Sequence, residues 1–274
     1  MSEHATIDHD QLKQRHRTLW ALGDYPRVAD EIVPSLGPIL AESCGITAGQ
    51  RVLDVAAGSG NLANAAARRG ADVVAADITA ELLSAGREHA EAEGVAIAWE
   101  EADAERLPYP DGSFDVVASC IGVMFAPHHQ AAADELLRVC RPGGTIGILS
   151  WTPTGFVGRM LTAMKPAMPP PPPGAEPAPL WGTVDHVREL FGERVRELTA
   201  QARMLTVSAF AAPAEFRRYF ATHYGPTVAA YRTVADDPCR TAELDQRLDA
   251  VADDAMAADG TMEWEYLIVT ARRR

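Results

Sequence analysis

Short apolar runs alternate with amphipathic stretches between residues 51 and 151. The run RVLDVAA leads into the glycine-rich GSGN and then into the Ala-rich NLANAAARRG, which predicts a strand, a loop and a helix. The alternation of predicted strands and helices continues through ADVVAAD, TAELLSAGREHAEAEG, VAIAWEEAD, FDVVASCIG, PHHQAAADELLRVC and TIGILSW. Strands this apolar are covered on both faces, so the pattern predicts a parallel sheet between layers of helices.

Local signals predict where some of these elements begin and end. Thr79 is a predicted N-cap and Gly94 a predicted stop for the helix between them, and Pro127 is predicted to begin the helix that precedes the last strand. The segment RPGG that follows this helix is predicted to be a turn.

The alternation of predicted strands and helices does not continue on either side of this region. Residues 1–50 are polar and punctuated by prolines, which predicts an N-terminal helical cap. Residues 152–260 are predicted to hold a proline-rich connector that includes MPPPPPG, then a helix, a strand and an acidic helical lid over the substrate. Residues 261–274 read as a last strand that returns to the sheet.

Composition narrows the classes of function. The chain has 274 residues, of which 47% are hydrophobic, with 25 basic and 38 acidic side chains and a formal charge of −13. This is enough apolar material for a sizeable core, while the acidic balance disfavours nucleic acid as a partner. Lys13 and Lys165 are the two lysines, so a mechanism that needs a catalytic lysine has two candidates.

Cysteine and histidine spacing predicts neither a disulfide framework nor a metal site, because there is no C-x-x-C pair and no metal-ligand spacing among the histidines. Free thiols suit a reducing cytosol. The N-terminus has no apolar core typical of a secretory signal, and no apolar run reaches about 18 residues. We therefore expect a cytoplasmic protein that does not enter a membrane.

Candidate binding residues lie where the first predicted strands end. Gly58 and Gly60 follow the first strand, Asp77 ends the second and Asp103 the third. In an open α/β sheet, ligands bind at the carboxyl ends of the strands, so these residues are expected to share one rim. Glycines let a ligand approach the backbone closely, and a carboxylate after the second strand can accept two hydrogen bonds from a ribose diol.

Asp54 distinguishes this loop from a dinucleotide-binding one. The loop reads LDVAAGSG instead of G-x-G-x-x-G, and a carboxylate inside its approach would repel a pyrophosphate and favour a cationic ligand. The same carboxylate could instead cap the backbone amides of the loop, and the two roles can coexist.

Four segments in this order resemble the core of the class I S-adenosylmethionine-dependent methyltransferases, of the small-molecule, methyltransferase type 11-like kind. They are VLDVAAGSGN, the acid in VVAADIT, EADAERLPYPDGSFDVV and LLRVCRPGGTIGILSW. The resemblance covers residues 51–151 closely and the rest loosely. It implies a Rossmann-like, doubly wound α/β fold with a mostly parallel seven-stranded sheet and an added helical lid.

The resemblance also implies S-adenosylmethionine as cofactor, S-adenosylhomocysteine as product and a small-molecule methyl acceptor as partner. Carried over by position, Asp77 would bind the ribose hydroxyls and Asp103, with the backbone of Ala104, the adenine; Ile78 is a further cofactor-binding residue. The other cofactor-binding residues would be those of the first loop, two at the end of the fourth strand beside the sulfonium, and two N-terminal aromatic residues that close over the cofactor: Asp54, Ala56, Gly58, Gly60, Ser119, Cys120, Trp20 and Tyr25.

One position departs from the family. A glycine is usual where Ala56 stands, and alanine fits there only with a negative φ, so we expect a small local shift of the loop.

Catalysis by methyl transfer asks little of the protein beyond positioning, because the cofactor supplies the electrophile. An oxygen or nitrogen acceptor needs a base, for which His128 and then His223 are the candidates. Their plainer interpretations are a solvated helix start for His128 and packing under the acceptor for His223. A carbon acceptor or an ionised phenol needs no base.

The acceptor is expected to bind in the lid, whose side chains suggest an apolar or aromatic small molecule, although the same side chains could simply pack as core. They are Trp151, Phe156, Met160, Trp181, Phe216, Tyr219, Phe220 and Tyr224.

Three alternatives stay open from the sequence. An NAD(P)-dependent oxidoreductase shares the sheet, but the short-chain form needs Tyr-x-x-x-Lys, and neither lysine has a tyrosine four residues before it. A non-catalytic S-adenosylmethionine-binding protein would keep the same fold. A nucleic-acid methyltransferase is disfavoured because SCIG stands where its Asn/Asp-Pro-Pro-Tyr signature would follow the fourth strand. The sequence leaves the oligomeric state undetermined.

Overall fold

A computed structural model describes residues 9–172 and 174–274. Its centre is a seven-stranded sheet in the order β3-β2-β1-β4-β5-β7-β6. The strands are β1 (Arg51–Val55), β2 (Asp72–Asp77), β3 (Ala98–Glu101), β4 (Phe114–Cys120), β5 (Cys140–Trp151), β6 (Val195–Val207) and β7 (Met262–Arg273). The pairs among β1 to β5 are parallel, and β7 runs antiparallel to both β5 and β6. This confirms the predicted Rossmann-like, mostly parallel sheet.

Helices surround the sheet. They are α1 (His9–Trp20), α2 (Tyr25–Glu31), α3 (Leu36–Ser43), α4 (Asn61–Arg68), α5 (Ala80–Glu93), α6 (His129–Val139), α7 (Phe156–Met164), α8 (Val184–Phe191), α9 (Pro213–His223), α10 (Gly225–Val234) and α11 (Pro238–Ala255). Within the described ranges, no helix is both long and apolar enough to cross a membrane.

The central strands are buried because they carry apolar side chains on both faces. Every residue of β1 after Arg51 is buried, as is every residue of β2 after Asp72. Helices therefore cover both sides of the sheet, and the polar groups of this region gather where the strands end. The edge strand β6 is mostly exposed between its buried ends, Val195 and Val207.

The predicted ends of the elements agree with the structure in part. Thr79 and Gly94 flank α5 as its N-cap and C-cap, as predicted. The helix α6 begins at His129, two residues later than the predicted start at Pro127. The predicted RPGG turn is wrong in kind, because this segment bulges inside β5: Cys140 pairs with Phe114, and the pairing resumes only at Thr145.

The predicted segments outside residues 51–151 contain the following elements. The N-terminal cap holds α1, α2 and α3, while its first eight residues lie outside the described residues. Pro173 of the connector also lies outside them. The strand predicted in the lid region is β6, which joins the sheet beside β7, and the acidic stretch that follows forms α9, α10 and α11.

The loop after β1 is held in an unusual backbone conformation. Ala56 has a φ of 53°, so the expectation of a negative φ at this alanine is wrong. The loop after β4 packs closely on this residue: a Cβ on Gly122 would lie 2.0 Å from the Ala56 carbonyl oxygen. The two loops therefore touch through backbone atoms, while Ala56 lies in the left-handed region that favours glycine.

We predict that Ala56→Gly preserves stability better than Ala57→Gly. At Ala56 the glycine relieves a strained φ, by about 1 kcal/mol, which offsets the added freedom of the unfolded chain. At Ala57, whose φ is not positive, only the second effect operates, so the free energy of unfolding falls by about 0.4–1 kcal/mol. Urea denaturation of both variants measures the difference, and an Ala56→Gly variant less stable than Ala57→Gly would contradict the strain.

Candidate active site

A cavity that is partly open to solvent lies at the carboxyl ends of β1, β2 and β4 and beside the end of β3. Most of the residues predicted to bind a cofactor line it: Trp20, Tyr25, Ala56, Gly58, Asp77, Ile78, Asp103, Ala104 and Cys120. The topology brings them together because the parallel strands all end at this rim. Burial raises the pKa of the Cys120 thiol well above its usual value, so this side chain faces the cavity in its neutral form.

Asp77 fastens two loops of the rim. Its Oδ2 accepts a hydrogen bond from the Gly58 N–H at 2.8 Å, and its Oδ1 accepts one from the Thr79 N–H at 2.8 Å. The residue is 7% exposed yet lines the cavity. Burial raises its pKa, and the two N–H bonds oppose that shift. Each carboxylate oxygen keeps a second lone pair with which it can accept a hydrogen bond from a ligand.

At the other side of the rim, Asp103 belongs to a buried charge cluster. The Lys13 ammonium lies 2.9 Å from Asp103 Oδ1 and 2.7 Å from Glu105 Oε2. Burial alone would raise the pKa of Glu105, but its bonds from Lys13 and His128 outweigh burial and lower it. Burial, followed by the charge of Lys13, lowers the pKa of His16, so this imidazole is neutral at pH 7.

The helix α1 forms the wall of the cavity that faces the strand ends. Only one of its residues, Trp20, was predicted from the sequence to belong to the site. Lys13, His16 and Trp20 line the cavity, and Arg17 donates a hydrogen bond to the Ile78 carbonyl at 3.1 Å. These positions recur at helical spacing and therefore share one face. This spacing could have indicated from the sequence that the four residues share a helix face. It does not show which part of the sheet that face covers.

Three predicted cofactor residues are not among the described residues that line the cavity, because each supports the rim from behind. Asp54 accepts a hydrogen bond from the Ala63 N–H in the first turn of α4 at 2.9 Å, which is the capping role. Burial raises its pKa to about 8. A Cβ on Gly60 would lie 2.4 Å from the Trp99 ring, so this glycine makes room for a side chain of β3.

Ser119 is the third of these residues. Its hydroxyl is fully buried, donates to the Val55 carbonyl at 2.6 Å and accepts from the Val123 N–H at 2.8 Å. The hydroxyl thus joins the end of β1 to the loop after β4. The neighbouring Ile121 and Gly122, which were not predicted, line the cavity instead.

His128 and His223, the two candidate bases, are not among the described residues that line this cavity. The Nδ1 of His128 lies 3.0 Å from Glu105 Oε2, and His128 is the N-cap of α6. The ring of His223 packs on Tyr219, with the ring centroids 4.7 Å apart. Both positions match the plainer interpretations of these side chains.

A second, tighter cavity shares Tyr25, Ile121 and Phe125 with the first. Its other lining residues come from α2 and the segment after it, β5, α7, α9 and its C-cap, and β7: Val28, Val33, Trp151, Val157, Met160, Phe220, Tyr224 and Trp264. The phenol hydroxyls of Tyr25 and Tyr224 have no hydrogen-bond partner among the described residues, and burial raises the pKa of both phenols. Both tyrosines are therefore neutral and available as hydrogen-bond donors at pH 7.

Only part of the predicted acceptor set lines this second cavity. Trp151, Met160, Phe220 and Tyr224 do so. Phe156 and Phe216 are fully buried against each other, with ring centroids 5.0 Å apart, and the Tyr219 hydroxyl donates to Glu31. Trp181 is fully buried beside His129. These four side chains follow the alternative interpretation as core packing.

Known proteins share this architecture. A family model described as a methyltransferase domain matches residues 52–144. The uncharacterized protein Rv1403c of Mycobacterium tuberculosis is 49% identical over 258 residues, which is 94% of each chain. The ubiquinone/menaquinone biosynthesis C-methyltransferase UbiE of Chromobacterium violaceum is 39% identical over 111 residues, covering 39% of this chain and 46% of its own.

Among solved structures, a putative methyltransferase from Bacillus halodurans has the same fold, with a TM-score of 0.59 and 19% identity over 87% of this chain and 98% of its own. The matched domain coincides with the strands and loops that form the first cavity. The chain belongs to the class I S-adenosylmethionine-dependent methyltransferases, and S-adenosylmethionine is its cofactor.

Proposed function

We propose that this enzyme transfers a methyl group to a small, apolar or aromatic molecule that binds in the second cavity. The main support for this proposal is that the two cavities adjoin: Tyr25, Ile121 and Phe125 line both of them. One cavity has a polar rim suited to the cofactor, and the other is lined by apolar and aromatic side chains. An acidic cytoplasmic enzyme with this arrangement suits a small acceptor better than a nucleic acid.

The residues present fit S-adenosylmethionine. The Asp77 carboxylate is placed to accept hydrogen bonds from the ribose hydroxyls, and we assign the adenine to the side of the cavity formed by Asp103 and Ala104. The aromatic rings of Trp20 and Tyr25 suit a positively charged group. When bound, the cofactor supplies an electrophilic methyl group on its sulfonium.

We further propose that the reaction needs no histidine base. The polar side chains among the described residues that line the second cavity are Tyr25, Tyr224, Trp151 and Trp264; none is a base at neutral pH, and the two neutral phenols can donate hydrogen bonds. A donor can hold an acceptor oxygen, such as a phenolate or an enolate, but cannot remove a proton. The favoured nucleophile is therefore an already ionised oxygen or the electron-rich carbon beside it.

The named relative supports a carbon nucleophile. UbiE is named as a C-methyltransferase of ubiquinone and menaquinone biosynthesis, and its similarity covers 39% of this chain. The protein's own part in this choice is to orient the acceptor and to exclude water, which the aromatic lining of the second cavity favours. Methylation of an ionised phenol oxygen is the second candidate, because the same tyrosine donors would hold it.

Substitution of Asp77 tests the cofactor assignment. We expect Asp77→Asn to raise the dissociation constant for S-adenosylmethionine about 10–100-fold, because the loss of a charged acceptor costs about 1.5–3 kcal/mol. Isothermal titration calorimetry on the folded variant measures this change.

The matched control is Asp54→Asn, which changes the other buried aspartate at a strand end. Asp54 does not line the cavity, so its variant should change stability more than cofactor affinity. Equal affinity of Asp77→Asn and the wild-type protein would remove Asp77 from the proposed site, and so would an equal loss in both variants.

A panel of acceptors tests the second cavity. With labelled S-adenosylmethionine, we expect methyl transfer to planar phenols and reduced quinols and none to primary amines or aliphatic acids. Tyr224→Phe should lower kcat/KM about 3–10-fold, the value of one neutral hydrogen bond of about 0.5–1.5 kcal/mol. Cofactor affinity should stay unchanged, because Tyr224 lines only the second cavity.

The control for this variant is Tyr231→Phe, whose hydroxyl bonds Asp245 away from both cavities. It should leave kcat/KM unchanged. Preferential transfer to amines, or a Tyr224→Phe variant with unaltered kcat/KM on every acceptor used, would argue against the proposed acceptor class.

A further inference from the structure

Three polar side chains from separate parts of the chain converge outside the two cavities. His129 begins α6, Glu176 lies in the proline-rich connector, and His186 lies in α8. Within the described ranges these three form the one group of histidine, cysteine or acidic residues whose candidate ligand atoms all lie within 4.8 Å of one another. The distances in sequence, 47 and 57 residues from His129, explain why no spacing pattern revealed the group.

The candidate ligand atoms of the cluster lie close enough together for one metal ion. His129 Nδ1 and His186 Nε2 are 2.8 Å apart, at hydrogen-bond distance. Glu176 Oε2 lies 3.9 Å from His129 Nδ1, and Glu176 Oε1 lies 3.9 Å from His186 Nε2. At 3.9 Å the carboxylate is too far from either ring to form a hydrogen bond, so it lies beside both rings without bonding to them.

The donor set indicates which metal would bind. Imidazole nitrogens and a carboxylate oxygen are ligands that zinc takes in proteins, with bonds of about 2.0–2.2 Å. A tetrahedral site with such bonds separates its ligand atoms by roughly 3.3 Å. The two nitrogens are closer than this value, at 2.8 Å, and a Glu176 oxygen lies within 4.8 Å of both, so side-chain shifts would bring the three atoms to the spacing of a zinc site.

The cluster is largely closed to solvent. The side chain of His129 is fully buried, and that of His186 is 14% exposed. The indole ring of Trp181 lies beside the cluster, with its centroid 5.6 Å from that of His129. In the neutral pair one ring nitrogen donates a hydrogen bond to the other, whereas a cation would bind a lone pair from each ring.

The cluster also joins the connector to the rim of the cofactor cavity. The Glu176 carboxylate accepts a hydrogen bond from the His129 N–H at 3.1 Å, and the Glu176 N–H donates to the Pro127 carbonyl at 3.0 Å. Pro127 lines the first cavity. Whatever fixes Glu176 therefore fixes the connector against this edge of the active site.

We propose that His129, Glu176 and His186 bind a zinc ion that fastens the proline-rich connector and α8 to the start of α6. Water completes the coordination as the fourth ligand. The site is separate from the methyl-transfer chemistry, and this inference does not depend on the proposed acceptor.

The test is zinc binding by the untagged full chain after treatment with a chelator. We expect one Zn²⁺ per chain by calorimetry and by elemental analysis after dialysis, with a Tm several degrees higher in the zinc-bound protein. His186→Ala and Glu176→Gln should each weaken zinc binding at least tenfold, and X-ray absorption should show nitrogen and oxygen ligands and no sulfur.

The matched control is His89→Ala, which removes an exposed histidine 3.2 Å from Glu93 on α5 and should leave stoichiometric binding intact. The Glu176→Gln variant keeps the test decisive if His186→Ala does not fold. Absence of stoichiometric binding by the wild-type chain, or equal binding by the wild-type and Glu176→Gln proteins, would overturn the proposal. The cluster would then connect these segments through hydrogen bonds alone.

Discussion

One buried carboxylate holds the active-site rim together. Asp77 ends β2, and its two oxygens accept hydrogen bonds from Gly58 in the loop after β1 and from Thr79 at the start of α5. The loop after β4 in turn rests on Ala56 through a backbone contact that only glycine at position 122 permits. The shape of the cofactor cavity therefore depends on a few contacts between loops, which the parallel sheet brings to one edge.

The sequence predicts the parts of this arrangement that local physics determines. Apolar runs bounded by glycines predict β1, β2 and β4, and the acids at strand ends predict Asp77 and Asp103 at a common rim. The sequence does not predict the direction of a side chain at a strand end, because hydrogen bonds to distant residues determine that direction. Asp54 bonds a helix, and Ser119 bonds the end of β1 and the loop after β4, so both support the rim instead of lining the cavity.

The hydrophobic and polar pattern of the sequence does not predict contacts between residues that are far apart in the chain. Lys13 approaches Asp103 from a helix 90 residues earlier, and no periodicity in either segment specifies that pairing. The same holds for the cluster of His129, Glu176 and His186. The sequence predicted no metal site because their spacing matches no ligand pattern.

In the proposed function, the two cavities divide the chemistry between them. The first cavity combines the carboxylates of Asp77 and Asp103 with apolar side chains, whereas aromatic and aliphatic side chains line the second. Much of the formal charge of −13 lies elsewhere on the helices, where it gives no information about the acceptor. If the acceptor binds in the second cavity as proposed, β5, β7 and the lid helices select it more than the loops of the cofactor rim do.

A crystal structure of the complex with S-adenosylhomocysteine would show where the cofactor binds. We expect the ribose hydroxyls to contact Asp77 and the sulfur to lie at the junction of the two cavities, beside Tyr25, Ile121 and Phe125. A ribose bound away from Asp77, or a sulfur that faces solvent instead of the apolar cavity, would contradict this expectation.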